Sequence, residues 1–392
     1  MENQLWTKNF ISICVTNFLL FLNFYYLLVI LPIYSVKELH GPESQAGLIV
    51  TVFLIAAIIT RPISGQLIQR YGAGPIFILS IFIFLAATVL YYYPDTMFSL
   101  LLIRLFHGVG FGMATTAAGT IVADVIPDSR KGEGMGYYGL TMNLAMAIGP
   151  FLGITALNLW GIDVMFTIST VFVLIATVTG LFIKLPKREV TKNSSNNKGL
   201  KVSDIFEASA IRISLVGGFF ALVYSAVLSF VAVYAVEAGF GDIASYFFVV
   251  YAIILILSRP FTGKWFDLYG ANVIIYPSIL SFAIGLILLS QAETSLLFLV
   301  SAAFIGLGWG TAFPSFQTIA IQHAAPVRRG MATATFLSIF DIGVGLGSFI
   351  VGVVGARIGF SSLYFISSFF TLFGIGLYFI LHGKKSRIHS HQ

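Results

Sequence analysis

The sequence predicts an all-α integral membrane protein of twelve transmembrane helices, arranged as two homologous six-helix halves around a central cavity. Composition is the first sign. Of 392 residues 58% are hydrophobic and only 10% charged, against roughly 25% charged in soluble domains. That leaves too little polar surface to coat a globule in water, so the solvent is lipid. The second sign is twelve apolar windows of roughly 20 residues, the length that crosses about 30 Å of hydrocarbon. The third is an internal repeat. Arg61-Pro62-x-x-Gly65 followed by Tyr71-Gly72-Ala73 returns as Arg259-Pro260-x-x-Gly263 followed by Tyr269-Gly270-Ala271, an offset of 259 − 61 = 198 residues, about half the chain.

The same offset, without a gap, pairs Phe106 with Phe304, Gly108 with Gly306, Gly110 with Gly308, Gly112 with Gly310, Arg130 with Arg328, Gly132 with Gly330 and Gly149 with Gly347. In a membrane chain, repeated halves facing a central site are the architecture of secondary transporters.

Span 1 centres near residue 22. Its apolar stretch from Phe10 to about Tyr34 is too long for a secretory signal and lacks a small-residue cleavage site, so it is read as a retained helix. It carries the only cysteine, Cys14, which excludes an internal disulfide and a cysteine-based metal site. Spans 2 to 6 centre near residues 57, 84, 110, 147 and 173, and spans 7 to 12 near 225, 253, 281, 308, 343 and 371. The halves are placed at 1–184 and 212–383, with a linker at 185–211 and a tail at 384–392. Lys187-Arg188-Glu189 and Asn193-Ser194-Ser195-Asn196-Asn197 give the linker the composition of a flexible, solvated segment.

Lys and Arg set the orientation. With the amino terminus inside, Lys8, Arg70, Arg130, Lys131, the linker cations, Lys264, Arg328, Arg329, Lys384, Lys385 and Arg387 are cytoplasmic, and Lys37 and Arg357 fall outside. This positive-inside bias predicts two cytoplasmic termini. The net charge of +6 is then a topology signal, and nucleic acid is not an expected partner.

The loop Gly65-Gln66-Leu67-Ile68-Gln69-Arg70-Tyr71-Gly72 resembles the Gly-x-Leu-x-Asp-Arg-x-Gly signature of the major facilitator superfamily, and Gly263-Lys264-Trp265-Phe266-Asp267-Leu268-Tyr269-Gly270 is its second-half echo. Twelve spans in a six-plus-six order extend the resemblance over nearly the whole chain. It implies a charge network that holds the cytoplasmic side shut in one state and releases it in the other. Glycines permit close approach and a tight reversal, and an Asp near a helix end can pair with cations or with the positive end of a neighbouring helix. Gln69 stands where the family has Asp, while Asp267 is kept. The gate is therefore expected to lean on Asp267, with Arg130 and Lys131 as partners; the alternative is that these charges only fix topology.

Span 4 carries Arg104 about seven residues inside its outer end, roughly 10 Å deep. His107 and Gly108, three and four residues on, share its face. Arg at a helix centre costs about 2.5–3.5 kcal/mol on insertion scales, so it usually faces a cavity or a partner. Arg104-x-x-x-Gly108-x-Gly110 resembles the span-4 motif of proton-coupled members, which implies a part for Arg104 in proton handling. Snorkelling of Arg104 to headgroups is the alternative, and His107 can be a bonded interior histidine or a titrating one. The run Gly108-x-Gly110-x-Gly112 lies in an apolar helix with no preceding strand, which excludes a nucleotide loop and suits close helix packing.

In span 5, Gly149-Pro150-Phe151-Leu152-Gly153 resembles the Gly-Pro-x-x-Gly core associated with drug:proton antiporters, with Ala145 where the family has a further glycine. The resemblance implies export. The second half reads Gly347-Ser348, so the proline kink is not duplicated.

Span 11 carries Asp341, eleven residues after Gly330 and roughly 16 Å from the cytoplasmic edge. Water is scarce at that depth, so a carboxyl there is a candidate to load and release a proton. Its repeat mate, 341 − 198 = 143, is Asn143. A permanent bond from Asp341 to a neighbouring helix is the alternative. Asp124 and Glu237 fall near helix ends, where water reaches.

Span 1 presents Asn17, Asn23, Tyr25, Tyr26 and Tyr34, and span 7 presents Tyr224, Ser225 and Tyr234; Tyr26 and Tyr224 are repeat mates. The resemblance implies a cavity lined by helices 1, 4, 7 and 10, which brings in Asn17, Asn23, Tyr26 and Tyr224; Asn143 of span 5, the repeat mate of Asp341, is a further candidate for its wall. Aromatic walls with few fixed charges suit a bulky, amphipathic or weakly cationic ligand better than a sugar or a phosphate ester.

These features predict a proton-driven transporter in the plasma membrane of a prokaryote, exporting hydrophobic small molecules and acting as a monomer. A proton symporter importing a small metabolite and a non-transporting sensor of the same fold are the alternatives. No Gly-x-x-x-x-Gly-Lys-Ser/Thr loop is present, which speaks against direct ATP coupling. No clustered His, Cys or carboxylate set has catalytic or metal-ligand spacing, so neither an enzyme, a cofactor nor a metal site is expected.

Overall fold

The computed structural model describes residues 4–40, 43–183, 206–240 and 243–384, and these form helices and short connections with no strand among them. The linker residues Lys187, Arg188, Glu189 and Asn193 to Asn197, and the tail residues Lys385, Arg387, His389 and His391, lie outside the described residues. The helices are α1 (Lys8–Lys37), α2 (Glu43–Tyr71), α3 (Ala73–Leu90), α4 (Met97–Val125), α5 (Lys131–Leu181), α6 (Ala208–Glu237), α7 (Ala244–Tyr269), α8 (Ala271–Ser290), α9 (Ser295–Gln322), α10 (Arg329–Ile358) and α11 (Phe360–Tyr378). A π turn, Phe379–Gly383, follows α11.

Among the described residues eleven helical stretches are long and apolar enough to cross a membrane. The remaining predicted span, centred near 147, is the first limb of α5. Spans 5 and 6 are two helices, as the sequence places them, and they meet at a kink within Lys131–Leu181 where Gly161 leaves helical geometry (φ 78, ψ −169). A side chain would strain that left-handed conformation, so glycine lets one residue do the work of a loop. Large apolar side chains such as Phe98, Phe151, Leu257, Leu268, Phe349 and Phe373 are exposed, a surface that suits lipid and not water.

Two compact units result, and they cut across the sequence halves. The first holds Met1–Pro127, Thr141–Glu207 and Ala324–Ser338; the second holds Asp128–Leu140, Ala208–His323 and Ile339–Gln392. The segments that open α5 and α10 are thus exchanged between the halves.

Within each unit the repeat is kept contact by contact. In the first, a methyl group added at Gly112 of α4 would lie 2.7 Å from the Ala57 carbonyl oxygen and one at Gly110 would lie 2.8 Å from the Phe84 nitrogen, while one at Gly108 would overlap the Phe53 carbonyl. In the second, a methyl at Gly306 of α9 would lie 2.8 Å from the Tyr251 carbonyl oxygen, and Gly308 and Gly310 meet Phe282 and Leu255 as closely. The partners are repeat mates too: 251 − 53, 255 − 57 and 282 − 84 are each 198. Small residues at these positions let helix backbones touch where lipid gives no hydrophobic drive for association.

Candidate functional site

In the first unit, Arg104 is wholly buried between α2, α3 and α4. Its Nε donates to the Ile49 carbonyl at 3.1 Å and its Nη1 to the Tyr91 hydroxyl at 3.4 Å. The guanidinium lies 4.2 Å from the centroid of the Phe53 ring, a cation–π stack strengthened by desolvation. The second terminal nitrogen, Nη2, has no hydrogen-bond partner. Tyr91 also meets Nδ1 of His107 at 2.9 Å, and Nε2 of His107 lies 3.4 Å from Thr88 Oγ1. Rings of Phe53 and Phe84 flank the imidazole at 5.4 and 4.1 Å. Arg104 and His107 therefore belong to one polar chain inside an aromatic box. At the repeat-equivalent positions the second half has Ala302 and Ile305, so this chain is unique to the first half.

Two buried arginines escaped the sequence reading as functional candidates, although they head the repeat. Arg61 donates to Thr115 Oγ1 at 2.7 Å and lies 5.9 Å from the Phe111 ring. Arg259 donates to the Gly310 carbonyl, and its Nε is unpaired. It lines a small cavity with Gly132, Gly136, Thr262, Thr311 and Ser315. The available signal was a charge inside an apolar window at the same place in both halves.

Asp267 lies in the second unit. The carboxylate caps the start of α5: the Gly132 amide donates to Oδ1 at 2.6 Å and the Glu133 amide to Oδ2 at 3.0 Å. These are among the first amides of a helix, which have no partner within it and carry its positive end. Gly263 makes the approach possible, since a methyl there would lie 2.6 Å from the Glu133 Cα. Both expected cations also make pairs close in sequence, and the Arg130 charge acts on Asp267 as well. Arg130 binds Glu133 Oε2 at 2.8 and 2.7 Å, and Lys131 reaches Asp128 at 3.4 Å. Asp267 thus engages the positive end of α5 through its backbone, one of the two kinds of partner the sequence offers for it.

The first unit repeats the approach without the carboxylate. A methyl on Gly65 would lie 2.8 Å from Met331 Sδ, and one on Gly330 would lie 2.7 Å from a methyl of Ile68. Gln69 is exposed, as is Arg70, whose guanidinium lies 5.3 Å from the Tyr71 ring. Two ion pairs hold the start of α10: Arg329 to Asp124 at 3.0 Å, and Arg328 to Glu207. Gly72 and Gly270 take φ of 87° and 85° at the reversals after α2 and α7, a conformation that favours glycine.

Gly149 and Gly153 seat α5 on α1. A methyl on Gly149 would lie 2.6 Å from Tyr25 Cβ, and one on Gly153 would lie 3.0 Å from the Tyr26 carbonyl oxygen; Pro150 lies inside the helix between them. The second half keeps the seat without the proline, with Gly347 against Leu222 and Ser225.

The residues expected to line a cavity are mostly engaged within their own units. Asn17 donates to Thr141 at 2.8 Å, and the Asn23 side-chain oxygen accepts from Ser169 at 2.6 Å. Tyr26 donates to the Met165 carbonyl at 3.0 Å inside the apolar core of the first unit. Tyr224 stacks on Trp309 with centroids 4.6 Å apart. Asn143 is buried in α5 of the first unit, and Asp341 is half-buried in α10 of the second.

The model of the Major Facilitator Superfamily matches residues 13–326 and 244–391. An uncharacterized MFS-type transporter of Methanocaldococcus jannaschii is 25% identical over 373 residues, covering 93% of this chain and 96% of the relative. The staphylopine export protein of Staphylococcus aureus is 25% identical over 356 residues, covering 84% and 85%. In fold, the chain resembles the human organic anion transporter MFSD10 with a TM-score of 0.77 over 94% of this chain and 98% of that one, at 15% identity.

Proposed function

The chain belongs to the major facilitator superfamily, and from that premise we propose that it is a proton-coupled exporter of hydrophobic or amphipathic small molecules. It is a multi-pass membrane transporter and no enzyme. The observation that carries the export reading is the seat of Gly149-Pro150-x-x-Gly153 on the Tyr25–Tyr26 backbone, the structural form of a motif that resembles the antiporter pattern. A relative named as an exporter, aligned over 84% of this chain, supports the direction.

Proton coupling is assigned to Asp341, half-buried within a candidate membrane span, together with the face of α4 that carries Arg104 and His107. Arg104 has no acidic partner among the described residues, so dipoles and a ring balance its charge. In the cycle proposed, a proton taken up at Asp341 on the outer side favours the inward-open arrangement, and substrate binding displaces it. Asp267 holds the start of α5 in one arrangement and frees it in the other. The protein is placed in the plasma membrane as a monomer with both termini cytoplasmic.

Cells expressing the chain should retain less of a fluorescent amphipathic cation than cells expressing Asp341→Asn at equal membrane abundance. Equal retention would remove Asp341 from the coupling site, and no extrusion by either form would remove the export reading.

A further inference from the structure

We propose that Glu207, the last residue before α6, is the acid that fixes the start of α10. The second unit shows what such a helix start needs. There, α7 supplies Asp267, whose carboxylate takes the amides of Gly132 and Glu133. The repeat places Gly330 and Met331 of α10 at the matching positions, and Gln69 at the position of Asp267. The backbone approach is preserved, through Gly65 against Met331 and Gly330 against Ile68. The charge is missing, because Gln69 is neutral and its residue is exposed.

Glu207 brings a negative charge to that place from a different direction. Its carboxylate accepts from Arg328, in the 3₁₀ turn immediately before α10. Its own amide donates to Thr335 Oγ1, on the second turn of α10, at 2.9 Å. Glu207 is buried, with 8% of its surface exposed. A charge-assisted bond shielded from water is worth more than a surface pair, and a carboxylate beside a helix start is favoured by the helix dipole. Asp124 contributes a second pair through Arg329, but that residue is more open to water. Glu207 is thereby tied to the start of α10 by its carboxylate and its amide, and this role is independent of what the protein carries.

Hydrogen exchange of the full chain in nanodiscs, followed at peptides covering 326–338 and 131–140, tests the assignment. Glu207→Gln should speed exchange at the start of α10 by about tenfold, as expected for loss of a hydrogen bond to a charged group, and leave the start of α5 unchanged. Adding Gln69→Asp to Glu207→Gln should restore most of the protection, because it returns a carboxylate to the position that Asp267 occupies in the other unit. Unchanged exchange in Glu207→Gln, or a loss that Gln69→Asp does not repair, overturns the role. If Glu207→Gln does not accumulate, the swap Glu207→Arg with Arg328→Glu replaces it; protection near that of the natural chain supports the pair, and its absence refutes it.

Discussion

Asp267 of α7 accepts the amide of Gly132, the second residue of α5, at 2.6 Å. One carboxylate oxygen on each of two successive amides makes it the cap of a helix that it does not belong to. Its repeat mate Gln69 carries no charge to do the same for α10.

Asp267→Ala leaves both amides of α5 without an acceptor and should cost about 1 kcal/mol, the usual price of a lost cap. Asp267→Asn keeps an acceptor and loses the charge, so it should fall between. Thermal melting of the purified protein orders the three forms; equal melting of Ala and the natural chain would mean that the cap contributes nothing to stability.

Gly108 and Gly345 offer a controlled comparison. A side chain at Gly108 meets the Phe53 backbone, whereas Gly345 has nothing within 4 Å of the same construction. Gly108→Val should destabilise by about 1–3 kcal/mol through overpacking, and Gly306→Val should do likewise in the second unit. Gly345→Ala should change melting by no more than about 0.5 kcal/mol. A tolerated Gly108→Val would contradict the close approach of α4 to α2.

Tyr91→Phe removes the hydroxyl that joins Arg104 to His107. Two buried polar groups then lose a partner, at a cost of about 1–3 kcal/mol. Arg104→Lys should also destabilise, because an ammonium has neither the flat face for Phe53 nor donors spaced for both Ile49 and Tyr91. Melting of each variant is the check, and a Tyr91→Phe protein as stable as its parent would dissolve the polar chain.

Hydropathy and the repeat made most of the fold legible, because lipid leaves a chain few choices beyond apolar helices. The junction at Gly161 was not legible, since a helix break needing one glycine leaves no polar loop to read. Gly108, Gly149 and their mates were visible as small residues at repeated positions, and the structure supplies the backbone each one touches. Polar partners were harder. Tyr26 reads as a candidate cavity wall, yet its hydroxyl is spent on Met165, 139 residues away in the chain. Asp267 reads as a partner of cations and of a helix end, and which two amides it takes needed the structure. Such choices depend on which helix faces which, and hydrophobic periodicity is nearly silent on that when a helix is apolar all round.

The most direct test of the central claim follows internal pH in everted vesicles bearing the protein while amphipathic cations, antibiotics and small metabolites are added in turn. Proton release on addition of a hydrophobic compound, absent with Asp341→Asn, is the predicted result. Proton release that persists in Asp341→Asn would contradict the assignment of coupling to that residue, and silence toward every hydrophobic compound, with a response to a metabolite, would contradict drug export itself.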